Sequence, residues 1–594
     1  MCRIAGMIDR ALPTETIKNL VTGMSQILKG GGPDGEGIYC DDINHLVLGH
    51  RRLSLIDLSD TSHQPMPYAN ERYWISYNGE LYNYLELKKE LIRAGCRFTS
   101  TGDTEVILAA FATWGTDAFS KFNGMFAFAL WDSYKTDLYL VRDASGIKPL
   151  FYSISKQGLV FASEVKAFKN IPGLQKANPH WEVYLMAYGH LPEPITTLHN
   201  VKPLQKGNWL VYNTASGIVH QDEFISYTYS EKIKNRKEAI ELVRSSFHNA
   251  VERHLLSDAP IGVFLSGGID SSIIALLANE HEADLKTVSL CFEQEQFSEK
   301  KYQDTIQSHL NCNHHQHLLK EDEFHEYFPS IISSMDLPSC DGLNTWFISK
   351  YAKECGLKAV LSGIGGDELF GGYPSFKRID AALLLQKLPS AVLRNGKFIL
   401  PQKYKRVSYL SIDGPIGIYL FMRGQYVPNE IAAHLGSYEK DIWNILSDHP
   451  PLPNIEMLSS KNKASWVETN MYLQNQLLRD ADVMSMSHGV EIRVPFLDAE
   501  FIKTALQIHS NVKYSGKLPK QLLIDSFKDI LPESVWNRPK MGFTFPFREW
   551  LQNSPFATHL MCNDKSNAHQ KFSSDQMHWS QYLTAMLIAH HNNA

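Results

Sequence analysis

The chain has 594 residues, too many for one hydrophobic core, so at least two domains are expected. Hydrophobic residues at 44% and charged residues at 21% describe an ordinary globular composition, and a net charge of −6 gives no electrostatic footprint for nucleic acid. The eight cysteines are scattered with no C-x-x-C pair, which argues against a zinc ribbon or a disulfide framework and for a reduced, cytoplasmic setting, and no apolar run approaches the roughly 20 residues of a membrane span.

In chain order the first chemical feature is Cys2. A small second residue permits removal of the initiator Met, which leaves the Cys2 thiol beside its own α-amine. An α-amine titrates near pH ~8 and a free thiol near ~8.5, so the amine can take the thiol proton near neutral pH, directly or through a water. A second-position cysteine alone could be incidental; the runs that follow it give it a context. These are Gly32-Pro-Asp-Gly35, Gly49-His-Arg-Arg-Leu-Ser54, Tyr77-Asn-Gly-Glu-Leu-Tyr-Asn83, Gly102-Asp-Thr-Glu-Val-Ile107, Phe122-Asn-Gly-Met-Phe-Ala-Phe-Ala129, Arg142-Asp-Ala-Ser-Gly-Ile-Lys-Pro149 and Phe161-Ala-Ser-Glu-Val-Lys166.

From Gly158 to Glu223 short apolar strands alternate with turns and carry Pro192, Pro194 and Pro203, which reads as the end of a β-rich domain. Residues 229–238 are polar and read as a linker, so the division is expected near residue 220, giving domains 1–220 and 221–594. A helix is predicted through Ile240, Val243, Phe247, Val251 and Leu255 from their 3- and 4-residue spacing.

The apolar strand Ile261–Leu265 then runs into Ser266-Gly-Gly-Ile-Asp-Ser-Ser272, which opens a helix bearing Ile273, Ile274, Leu276 and Leu277. Two residues without side chains let backbone N–H groups approach an anion, and a helix N-terminus adds partial positive charge. Asp270 is a poor phosphate contact and a good Mg²⁺ ligand, so the expected ligand is a metal-bound polyphosphate. No Gly-Lys-Ser/Thr follows, which excludes a Walker A loop; the plain alternative is an ordinary strand-turn-helix junction. The cluster Cys312, His314, His315 and His317 is not expected to bind metal, because neighbours on a short extended segment point to opposite faces. A second strand ends in glycines and acids at Ala359-Val-Leu-Ser-Gly-Ile-Gly-Gly-Asp-Glu-Leu-Phe-Gly-Gly-Tyr373. In an open α/β sheet this loop would face the first across a crevice, with Asp270 and Asp367 as ligands for one Mg²⁺.

The run at 266–272 resembles the PP-loop of ATP pyrophosphatases, which cleave ATP between the α and β phosphates. The N-terminal series resembles the class II, N-terminal-nucleophile glutamine amidotransferases. From Met1 to about Trp550 the whole chain resembles the glutamine-hydrolysing asparagine synthetase family. The resemblance implies an αββα sandwich of the N-terminal-nucleophile type followed by a doubly wound α/β PP-loop domain with helical extensions. It implies Cys2 as nucleophile, the Asn78 amide and the Gly79 N–H as oxyanion donors, Arg52 for the glutamine carboxylate, and Glu80 and Asp103 for its ammonium. It also implies that Leu265, Ser266, Gly267, Gly268, Asp270, Ser271, Leu290, Ser362 and Gly363 bind ATP. Lys520, in Gly516-Lys-Leu-Pro-Lys520, would stabilise charge on the α-phosphate as pyrophosphate leaves. The runs Glu491–Asp498 and Arg538–Phe543 match family framework around the acceptor pocket, with no residue roles. Arg51 reads as structural.

The implied reaction is ATP- and glutamine-dependent amidation through an acyl-adenylate, with aspartate as the leading acceptor and asparagine, AMP, pyrophosphate and glutamate as products. The implied partners are small molecules, neither nucleic acid nor membrane, and by analogy a second copy of the chain. Three departures stand out. Arg3 follows the nucleophile where the family usually has a small residue. Gly30-Gly31 replaces a usual His-Arg, which removes a cation and is expected to add chain freedom. Ile364 stands where asparagine-forming members typically carry Glu, which leaves a sugar acid, peptide or natural product as the alternative acceptor. An RNA-modifying PP-loop enzyme predicts a basic face and a cysteine pair, and a non-catalytic paralogue predicts loss of Cys2, Asn78 or Asp270; the chain meets neither expectation.

Overall fold

The computed structural model describes residues 2–282, 284–395, 402–450, 452–542, 545–562 and 567–593. Two six-stranded sheets build the N-terminal part. In spatial order the first holds Lys202–Pro203, Phe151–Ile154, Gly158–Ala162, Arg3–Asp9, Leu46–Arg52 and Gly35–Asp41. The second holds Val219–Glu223, Asn208–Asn213, Asp137–Arg142, Gly124–Asp132, Tyr73–Leu81 and Met66–Tyr68. Alternation along each strand sets the layers. Ile4 and Ile8 meet Ala127, Ala129 and Trp131 between the sheets. Ala5 and Met7, one residue out of phase, cluster instead with Ile17, Val21 and Met24 of helix Thr14–Ile27. On the far side Ile75, Tyr77, Phe126 and Phe128 cluster with Ile107, Leu108 and Phe111 of helix Thr104–Trp114. The result is the expected αββα sandwich.

The C-terminal part is built on a five-stranded parallel sheet in the order Asn313–Leu318, Lys286–Cys291, Ile261–Phe264, Ala359–Leu361, Glu491–Arg493. The first strand in the chain is central, with later strands on both sides, so the strand order reverses there. Such a reversal opens a crevice at the strand ends. The register Val263↔Leu361 brings the loops after both strands to the same edge.

Two local expectations need correction. The stretch Gly158–Glu223 also contains helix Trp181–Tyr188, whose buried residues include Trp181, Val183, Tyr184 and Leu185. Strand Val219–Glu223 pairs with Asn208–Asn213 across residue 220, so the second sheet runs to Glu223, close to the expected division. The polar stretch 229–238 is not a free linker: Ile233 N–H donates to Gln507 O at 2.8 Å, His509 N–H donates to Ile233 O at 2.9 Å, and the helix begins at Arg236. Among the described residues no helix is long and apolar enough to cross a membrane.

Candidate active site

Cys2 is buried at the head of strand Arg3–Asp9. Its N–H donates to Asn78 Oδ1 at 3.1 Å. That contact fixes the amide, and Asn78 Nδ2 is left buried with no hydrogen-bond partner. An unspent donor on a side chain bonded to Cys2 suits an oxyanion, and an orphan of this kind is otherwise costly. Burial pushes the Cys2 thiol up from its ordinary value, so the nucleophile needs a base at hand. Gly79 has a structural reason of its own: a Cβ there would lie 2.2 Å from Met125 O on the adjacent strand.

Arg52 donates to the carbonyls of Ser59 and Asp57, which hold the guanidinium at the rim, half-buried. Asp103 Oδ2 accepts from Tyr77 Oη and from Leu81 N–H, both at 2.9 Å. Glu80 is buried 3.4 Å from Arg493. Burial, then the carboxylates of Glu491 and Asp103, push Glu80 far above the usual carboxylate range, against Arg493. Glu80 and Glu491 share the Arg493 guanidinium, so a second cation beside Glu80, such as an ammonium, would bring its carboxyl back down.

The departures at Arg3 and Gly31 are one feature. Arg3 is fully buried, with Nε 2.6 Å from Glu164 Oε1 and an Nη 2.9 Å from Asp482 Oδ2. Its stem crosses Gly31, where a Cβ would lie 2.7 Å from Arg3 Cγ. Gly31 is buried within the turn Lys29–Gly31, so the glycine supplies room for Arg3 rather than chain freedom. Arg51 bonds Ser25 O and Glu36 and is structural, as expected.

At the second centre, Ser266 Oγ lies 2.9 Å from Ser271 Oγ and accepts from Gly268 N–H at 3.3 Å. Helix Ile269–His281 starts after Gly268 without a side-chain cap, which leaves its first N–H groups available to an anion. Gly267 has φ +77°, and a Cβ there would meet Tyr302 and Gln303. Lys520 lies between the carboxylates of Asp270 and Asp367, and Lys540 Nζ is 2.7 Å from Asp367 Oδ2. Glycines make this convergence possible. A Cβ on Gly363 would sit 2.8 Å from Asp270 Cβ, and one on Gly366 would sit 2.6 Å from Asp270 Oδ1. Burial raises Asp270, with Asp367 adding repulsion, against Lys520. For Asp367 burial is outweighed by Lys520 and Lys540, which hold it down at about 2. Asp270 Oδ1 is buried and accepts no hydrogen bond. Two converging carboxylates with an unspent oxygen fit a hard divalent cation.

Leu265 and Leu290 are wholly in the core, and the Leu265 and Leu290 carbonyls accept from Ser289 and Gln303. Ser362 N–H donates to Arg493 O at 2.8 Å. Arg493 therefore reaches both centres, through its side chain to Glu80 and through its backbone to the Ser362 loop. Ile364 is half-buried against the core. Glu368 does not stand in for the missing acid: it is buried, and its Oε1 accepts from Tyr373 Oη at 2.8 Å.

Sequence reasoning missed several residues. Arg538 donates to Gly267 O at 3.0 Å, pairs with Glu299 at 2.7 Å and lies 3.7 Å over the Tyr302 ring, which pins the glycine loop from outside. Arg538 and Lys540 fell in a run already marked as family-like, so a signal existed; Glu299 and Tyr302 carried none. Phe543, at the end of that run, lies outside the described residues. The segment around Cys312 and His317 is an edge strand whose His314 and His317 bond separate partners, Thr287 and Glu323.

The asparagine synthase family model matches residues 242–592, and the glutamine amidotransferase domain model matches residues 1–224. Asparagine synthetase (glutamine-hydrolyzing) 1 of Bacillus subtilis (strain 168) is 32% identical over 571 residues, covering 93% of this chain and 88% of its own. Asparagine synthetase (glutamine-hydrolyzing) 3 of the same organism is 28% identical over 593 residues, covering 93% and 89%. Amidase chry2 of Gibberella zeae is 26% identical over 585 residues, covering 90% and 86%.

Proposed function

The chain belongs to the glutamine-hydrolysing asparagine synthetase family, an ATP-dependent amidating ligase, and from that membership we propose that it converts aspartate to asparagine. Cys2 attacks the glutamine amide carbon, its own α-amine taking the thiol proton once Met1 is gone. Asn78 Nδ2 and the Gly79 N–H receive the oxyanion, Arg52 the carboxylate, and Glu80 with Asp103 the ammonium of glutamine. Water then releases glutamate from the thioester, and ammonia moves inside the protein to the second centre. There the acceptor carboxylate attacks the α-phosphorus of ATP, pyrophosphate leaves, and ammonia displaces AMP from the acyl-adenylate. Ser266, Gly267, Gly268 and Ser271 cradle the phosphates, while Leu265, Leu290, Ser362 and Gly363 line the adenosine. Lys520 neutralises charge at the α-phosphate. Asp270 and Asp367 would hold a Mg²⁺, which supplies charge neutralisation to the phosphates. The same reading places the enzyme in the cytoplasm as a homodimer.

The observation that carries this reading is the buried pairing of Glu80 with Arg493, whose carbonyl accepts from Ser362 N–H. It ties the strand bearing Asn78 to the loop that faces the glycine run, as two coupled half-reactions require. A second reading rests on Ile364, which offers no proton acceptor where an acid is usual: the same chemistry acting on another carboxylate. The test is pyrophosphate release over a panel of carboxylates, with glutamine and ATP present. Aspartate is expected to give asparagine and AMP in equal amounts. Release with another carboxylate and none with aspartate overturns the asparagine reading and leaves the amidating class intact.

A further inference from the structure

Helix Arg236–His254 carries His248 and, one turn later on the same face, Glu252. Helix Ile269–His281, whose first turn forms part of the glycine loop, ends against it with Glu280 and His281. His248 Nε2 lies 3.3 Å from His281 Nε2 and 3.3 Å from Glu280 Oε2. One ligand atom from each of His248, Glu252 and His281 lies within 4.8 Å of the others. Metal–ligand bonds of about 2.0–2.1 Å at tetrahedral angles put neighbouring ligand atoms about 3.3–3.4 Å apart. The His248 contacts to His281 and Glu280 therefore already have the length of a tetrahedron's edge. Two imidazole nitrogens aimed at each other compete for one proton, whereas both can donate a lone pair to a metal.

We propose that His248, Glu252 and His281 form a binding site for a borderline divalent transition ion of the zinc type. Imidazole with carboxylate suits such ions, and Mg²⁺, which prefers an all-oxygen shell, is disfavoured. A cation also suits the C-terminal end of helix Ile269–His281, where the helix dipole is negative. The site lies at the far end of that helix from Ser266–Ser272, about 20 Å away at 1.5 Å per residue. It therefore takes no part in the chemistry. Its role is to clamp the helix that carries the glycine loop to its neighbour.

The test uses the full chain, stripped of metal and kept in excess Mg²⁺ so that the Asp270–Asp367 pair is not counted. Zinc is added at about 10 µM free concentration, and binding and thermal unfolding are followed. The wild type is expected to bind one more zinc per chain than His248→Ala/His281→Ala, and only the wild type's Tm rises. Both side chains are partly solvent-exposed, so the double variant keeps its fold, checked by circular dichroism, and its zinc-free activity. Equal zinc stoichiometry in the two proteins, as thiol binding would give, overturns the proposal. So does an absence of zinc binding to the wild type.

Discussion

Arg3 and Gly31 share one volume, and that makes them testable as a pair. Gly31→Ala forces a Cβ into the Arg3 stem and is expected to cost about 1–3 kcal/mol of stability, as overpacking does. Arg3→Ala removes the Cγ that Gly31 makes room for and strands Glu164 and Asp482, although Lys166 at 2.6 Å and Lys148 at 3.6 Å remain beside them. Combined, the two changes are expected to be less than additive by at least about 0.5 kcal/mol in urea unfolding. Strict additivity would mean that the glycine is there for some other reason. Asn78 is the sharper probe of chemistry, because its Nδ2 has no protein partner to lose. Asn78→Ala is expected to lower the glutaminase kcat by ~10²–10³ while synthesis from added ammonia is preserved. Equal loss of both activities would move Asn78 out of the oxyanion site. Cys2→Ala should abolish glutamine use and spare ammonia use in the same assays.

At the scale of elements, the glycine loop is held from two sides. Its own serines close it from within, and Arg538 holds the Gly267 carbonyl from outside. Arg538→Ala is expected to raise the KM for ATP with little change in the glutaminase step, measured as glutamate release. The facing loop carries a pH signature. Burial, then the neighbouring Asp367, push Glu368 up from 4.5 to about 7. A raised carboxyl pKa means that its share of stability is full below the unfolded value and is lost as pH rises through about 7. Glu368→Gln keeps a partner for Tyr373 and cannot ionise. It is expected to flatten the fall in Tm between about pH 5 and 8, and an unchanged slope would assign that titration elsewhere.

For the whole molecule, the contact between the two halves is charged and buried. Arg3 reaches Asp482, Glu80 reaches Arg493, and Asn123 donates to Asp498, which also pairs with Arg253. Asp336 accepts from the N–H groups of Val165 and Lys166 at 2.8 and 2.7 Å. Separating the halves would take Asp482, Glu80 and Asp336 away from these partners, and a buried charge that loses its partner is strongly destabilising. A chain cut by an engineered protease site just after Glu223 is therefore expected to elute as one body in size-exclusion chromatography. Separation into two folded pieces would show that the buried charges are not what joins them.

The sequence by itself determined the parts list. Strand and helix periodicities, the glycine pair before Asp270 and the second-position cysteine are local features, legible because backbone geometry and side-chain chemistry act within a few residues. The αββα layering came from the family resemblance, and the alternation on each strand of the structure then shows which residues face a helix and which face a sheet. Only the tertiary structure decided what distant residues do to one another. Lys540 and Arg538 became visible when the fold set them on Asp367 and Gly267. Arg3 and Gly31 became one feature when a side chain crossed a turn. Arg493 became a link when its side chain reached one centre and its carbonyl the other. These depend on close packing and buried electrostatics between segments well separated in the chain, which no local window of sequence contains.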